Sequence, residues 1–156
     1  MNAMGGYDVE DISVGMQASF SKTVTETDIV LFAGITGDNN PVHIDALAAA
    51  ESIFKGRIAH GMLSVGFISA VLGTRLPGPG AIYLSQNLKF LAPVRIGDTV
   101  KATCEVVAVL PQRRRVTLKT LCQVGEQVVI EGEAVEYHDE TDDDGDDTPP
   151  RAEPMS

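Results

Sequence analysis

The stretch GDNNPVHID, residues 37–45, sets a carboxylate and an imidazole five positions apart across an Asn-Pro step. An imidazole takes or gives a proton near neutral pH. A carboxylate beside it can accept a second hydrogen bond from the same water, or its proton. Asp38 and His43 are therefore the candidate acid–base pair. Gly37 permits a backbone that other residues resist, and Pro41 fixes its own φ and confines Asn40 before it. Gly37, Asn40 and Pro41 are thus suited to hold a defined bend that brings the pair together. The same residues are ordinary turn formers, so spacing alone leaves a second reading, in which Asp38 is a cap and His43 merely closes a loop.

A second group lies at AHGML, residues 59–63. A glycine opening an apolar helix presents its backbone N–H at the positive end of the helix dipole. A carbonyl oxygen placed there is polarised, as in an oxyanion site, and Gly61 has no side chain to keep it away. Tight packing of helix on sheet explains the same glycine equally well. His60 reads as a hydrogen-bonded structural histidine rather than a base. Asp38, His43 and His60 also form a nominal metal set, but no helix or strand spacing supports it, and neither a metal nor another cofactor is expected.

The elements around these residues must position them. Thr25 caps a helix with Asp28 three residues on; Ile29, Leu31, Phe32 and Ile35 give it an apolar face, and Gly37 stops it. After the polar loop, Asp45 caps a short alanine-rich helix, DALAAAESIF. The segment AHGMLSVGFISAVLGTRL is small or apolar nearly all round, which predicts a helix buried on every side. Residues 81–138 read as strands: AIYLSQNLKFLAP, alternating around Leu84, Leu88 and Phe90, then TVKATCEVVAVL, RRVTLKTLCQV and QVVIEGEAVEY, separated by turns near Pro111 and at Gly125-Glu126. They suggest an antiparallel meander, with an earlier strand at MQASFSKTV. The order strand, helices, strands is an α+β pattern, a buried helix lying across an antiparallel sheet. The free sheet edges point to edge-to-edge pairing in a homodimer.

At 156 residues the chain fits one domain with a core of moderate size, and with no tryptophan that core should be aliphatic. The net charge is −10, of which −7 falls in residues 139–156. That acidic tail has almost no apolar content and is expected to be disordered, leaving residues 1–138 as the folded domain. The body carries no basic stripe, which argues against nucleic-acid binding, and RRR at 113–115 falls at a hairpin tip. No apolar run approaches a membrane span, and MNAMGGYDVEDI lacks the regions of a secretory signal, so a cytoplasmic location is expected. Cys104 and Cys122 lie in strand-like runs without CxxC spacing and read as reduced core residues.

FAGITGDNNPVHIDALAA (32–49), followed by GRIAHGML (56–63), resembles the hydratase 2 motif of the MaoC-like dehydratases and (R)-specific enoyl-CoA hydratases, and LKFLAPVRIGDTV (88–100) is similar to their strand and turn. The resemblance covers residues 10–138, and the motif's aromatic, small residue, Gly, Asp, Asn, Pro, aliphatic and His all stand in order. It implies a hot-dog fold, a long helix wrapped by an antiparallel sheet, in a dimer of single units. It implies reversible syn addition of water to a trans-2-enoyl thioester, carried by coenzyme A or an acyl carrier protein, giving the (R)-3-hydroxyacyl product of fatty-acid metabolism. By the same resemblance Asp38 and His43 are the catalytic pair, Gly61 supplies the N–H for the thioester carbonyl, Ser69 matches a serine near the site in some members, and Asn40 shapes the loop. The helix VGFISAVLG either lines an acyl slot or only packs the core. Lys55, Arg57, Lys89 and Arg95 are candidate cations for the acyl carrier. A hot-dog thioesterase and a non-catalytic, thioester-binding partner subunit are the competing readings.

Overall fold

The computed structural model describes residues 1–138; the acidic tail, 139–156, lies outside the described residues. Strand β1 (Gln17–Thr23) leads into helix α1 (Glu26–Thr36), two short helices α2 (Pro41–Ile44) and α3 (Ala46–Ala50), and the long helix α4 (Gly61–Thr74). Strands β2 (Ala81–Phe90), β3 (Thr99–Leu110), β4 (Arg115–Val124) and β5 (Gln127–His138) follow. Local chemistry sets these bounds. The Thr25 hydroxyl accepts from the Asp28 N–H while the Asp28 carboxylate accepts from the Thr25 N–H, a full capping box. Gly37 ends α1 in the left-handed conformation at φ +81°.

All five strands form one antiparallel sheet in the order β1-β3-β4-β5-β2. The meander expected over residues 81–138 holds only for β3-β4-β5. β2 does not lie beside β3; it crosses to the far edge and pairs with β5. Strand alternation reveals which faces are apolar but carries no information on strand order, because pairing partners are set by contacts distant in sequence.

α4 lies across the sheet. Ser64, Val65, Phe67, Ile68, Val71 and Leu72 are buried, packed on core-facing residues such as Val100, Cys104, Val106, Leu118 and Cys122. This is the α+β, hot-dog arrangement. The helix is not covered all round as its composition suggested: Met62, Gly66, Ser69 and Gly73 are exposed along one face of the single chain. Apolarity on all sides there reflects small residues on the uncovered face. Both cysteines are free and buried, and burial pushes each thiol up to about 12, so both stay protonated and unreactive. No helix among the described residues is long and apolar enough to cross a membrane.

Candidate active site

The polar loop is less a loop than expected. Residues 41–44 form a one-turn helix, because Asn40 caps it by accepting from the Val42 N–H at 3.2 Å and Pro41 sits pre-organised in its first turn. Asp38, just after the glycine that ends α1, is exposed. Its N–H donates to the Thr36 hydroxyl at 3.2 Å, and its carboxylate accepts from the Asn40 N–H at 3.3 Å. His43 lies within the short helix and is 8 % exposed.

The tautomer of His43 follows from its partner. Its Nδ1 lies 2.8 Å from the carbonyl oxygen of Ile58, and a carbonyl only accepts, so Nδ1 carries the proton. The lone pair is left on Nε2, the atom free to act as a base. Ile58 is fixed in turn, its N–H donating to the Val42 carbonyl, while the next N–H, of Ala59, donates to Val94. Arg57 clamps the same corner. Its Nε donates to the His43 carbonyl at 2.6 Å, and its two terminal nitrogens bind the Glu26 carboxylate at 2.8 and 3.0 Å. Such a bidentate fork fixes geometry as well as charge. Arg57, a candidate cation for the substrate carrier, is thus engaged inside the protein; so is Arg95, which donates to the Phe54 carbonyl at 2.6 Å. Lys55 and Lys89 remain as exposed cations.

His60 takes a definite structural part. It is 2 % exposed. Its Nε2 lies 2.9 Å from the Asp38 carbonyl oxygen and so donates to it. Its ring stacks on His43, centroids 3.9 Å apart, and tilts against Phe32 at 4.6 Å. It therefore links the backbone of one member of the pair to the ring of the other. Polar atoms of Asp38, His43 and His60 all lie within 4.8 Å of one another. That is a gap one water spans, since each hydrogen bond takes about 2.8 Å.

A cavity of about 300 Å³ opens beside the pair. His43, His60, Gly61 and Ser64 contribute its polar wall; Phe54, Phe90, Leu91 and Ile130 are among its apolar ones. Gly61 is the first residue of α4, so its N–H has no acceptor within the helix. A Cβ on Gly61 would fall 2.5 and 2.7 Å from ring carbons of Phe90. The Phe90 ring packs on the glycine, and Gly61 itself lines the cavity. Ser69 lies two turns further along α4, exposed, and is not among the residues lining the cavity. Sequence reasoning missed Ser64, Phe54 and Phe90. Ser64 had a signal, being a lone hydroxyl three residues after Gly61 on the face shared with Ile68, Val71 and Leu72. The phenylalanines had none, because the strand crossing that delivers Phe90 is non-local.

Comparison with known proteins gives a consistent picture. The MaoC-like domain family matches residues 11–129. The chain is 62 % identical over 125 residues to an (R)-specific enoyl-CoA hydratase of Rhodospirillum rubrum, covering 80 % of this chain and 87 % of that protein. It is 53 % identical over 126 residues to a 3-hydroxybutyryl-CoA dehydratase of Methylorubrum extorquens, covering 81 % and 80 %. Among solved structures, the R-hydratase PhaJ1 of Pseudomonas aeruginosa superposes with a TM-score of 0.80 at 44 % identity, over 85 % of this chain and 86 % of that one.

Proposed function

The chain belongs to the MaoC-like domain family, and on that premise we propose that it is a hydro-lyase, an (R)-specific enoyl-CoA hydratase that adds water reversibly to trans-2-enoyl thioesters. The observation that carries this reading is the placement of the Asp38 carboxylate and the His43 ring within 4.8 Å of each other at a largely apolar cavity that also meets the first residue of α4.

The enoyl thioester lies in that cavity with its carbonyl oxygen on the Gly61 N–H. Asp38 and His43 hold one water over C3 on a single face of the double bond. As its oxygen bonds to C3, the pair removes a proton from the water and returns one to C2 on the same face. The electron pair of the double bond passes transiently toward the thioester oxygen, where the helix N-terminus stabilises the developing enolate. His43 is prepared for its part because Ile58 fixes its proton on Nδ1 and leaves the Nε2 lone pair for the water. Phe90 and Ile130 make the wall beside the pair apolar, which strengthens the electrostatics of the groups there. Asn40, Pro41 and Gly37 hold the loop, and no cofactor is required.

The working unit is a homodimer paired along β2, an edge strand whose Ile82, Leu84 and Phe90 are exposed in the single chain. Its free, buried thiols suit the cytoplasm.

The test is hydration of crotonyl-CoA by the purified protein, followed as loss of enone absorbance, beside Asp38→Asn. Wild type turns over and the variant loses at least about a hundredfold in kcat with little change in KM, as expected for a group acting on the reacting atoms. Release of free coenzyme A in place of 3-hydroxyacyl product would make it a thioesterase. Silence toward enoyl thioesters of every length and carrier would leave a binding subunit.

A further inference from the structure

Ser64 is fully buried in α4 and lines the cavity, yet its hydroxyl has no hydrogen-bond partner among the described residues. Two other helical hydroxyls in this protein behave differently. Thr36 and Thr74 donate back to the carbonyls four residues before them, Phe32 and Ala70, at 2.7 and 2.6 Å. Ser64 forgoes that bond. A buried hydroxyl left unpaired is costly, so its position is explained by a ligand or a water that shares the cavity. His43 and His60 are the only other polar side chains among the lining residues, and each has a ring nitrogen committed to a backbone carbonyl.

Its place along the helix indicates which part of a substrate it meets. Ser64 stands three residues beyond Gly61 on the same helix face, about 4.5 Å along the axis. With the thioester oxygen on the Gly61 N–H, that advance is roughly three to four carbon–carbon bonds, about the pitch of one helical turn. A substrate running along α4 from that N–H would hold its reacting carbons within that span and bring the acyl chain beyond them to the hydroxyl. We propose that Ser64 is a specificity-determining residue that reads the acyl chain just past the reacting carbons, favouring short or oxygen-bearing chains over long hydrocarbon ones. This rests on the enoyl-thioester reading above. A short chain leaves a water on the hydroxyl; an ether or hydroxyl oxygen replaces that water; a run of methylenes displaces it and leaves the hydroxyl buried and unpaired.

The experiment compares kcat/KM for crotonyl-CoA and trans-2-octenoyl-CoA in wild type and Ser64→Ala, with thermal melting as the check on folding. The octenoyl-to-crotonyl ratio rises about tenfold in the variant, chiefly through a lower KM for the longer chain, because the contact is to a non-reacting part of the substrate. A ratio that stays put or falls overturns the proposal. Wild type alone supplies a second measurement: it prefers an octenoyl chain carrying an ether oxygen in place of about its fifth carbon to the all-carbon chain by roughly fivefold. Equal rates on those two substrates also overturn the proposal. Turnover with these ratios unmoved rejects the role of Ser64 and leaves the hydratase reading standing. No hydration of any enoyl thioester rejects both.

Discussion

Glu136 is a carboxylate with almost no access to water. It is 2 % exposed on the core face of β5, one of its oxygens has no partner among the described residues, and burial pushes its pKa from an ordinary 4.5 to about 7. Below about pH 4.5 the group is neutral in the folded and unfolded chain alike. Between there and pH 7 the unfolded chain releases this proton while the folded chain keeps it, so the unfolded state gains. Stability therefore falls as pH rises through this window and stays lower above it. Glu136→Gln removes the titration and keeps the shape. It should stabilise the protein by about 1–3 kcal/mol at pH 8 and by nothing measurable at pH 4, read from urea unfolding at the two pH values. A gain of equal size at both would show that ionisation is not the cause. Individual residues of the site were legible to different degrees. Asp38 and His43 stood out because polar residues between apolar helices are anomalous. The role of His60 was only half legible: a structural histidine was expected, but its stacking on His43 depends on the turn of α2, which sequence spacing does not display.

Between elements, the contact that matters most is β2 on β5. Gly132 pairs with Leu88 across it, and a Cβ there would lie 1.9 Å from the carbonyl oxygen of the neighbouring Asn87 and 2.9 Å from its carbon. Both are backbone atoms, so no side-chain rotation relieves the clash. Gly132→Ala should cost more than about 3 kcal/mol in urea unfolding and should reduce hydration activity along with it, because β2 carries Phe90 to the cavity. A stability loss under about 1 kcal/mol would mean that the strands yield easily. β1, β3, β4 and β5 were readable to within a residue and β2 to within three, since its reading ran on to Pro93; the cap and stop of α1 were readable too, since alternation, capping and left-handed glycines are local. The position of β2 at the far edge, the extra turn α2 and the uncovered face of α4 were not. Each depends on what the element packs against, and a local pattern does not contain its partner.

Taken whole, the molecule keeps the cavity beside Asp38 and His43 near a free sheet edge. Phe90 and Leu91 line the cavity and are also half exposed, at 54 % and 51 %. A second copy paired along β2 would cover them, and light scattering of the purified protein should give twice the mass of one chain. A monomer at micromolar concentration would reject that assembly. The shared residues have a further consequence, in the currency of mass action. If the wall of the cavity is finished by association, dilution should lower the rate per molecule as well as the number of molecules. Specific activity would then bend downward near the dimer dissociation constant instead of staying level, and substrate, by filling the cavity against Phe90, would draw the subunits together.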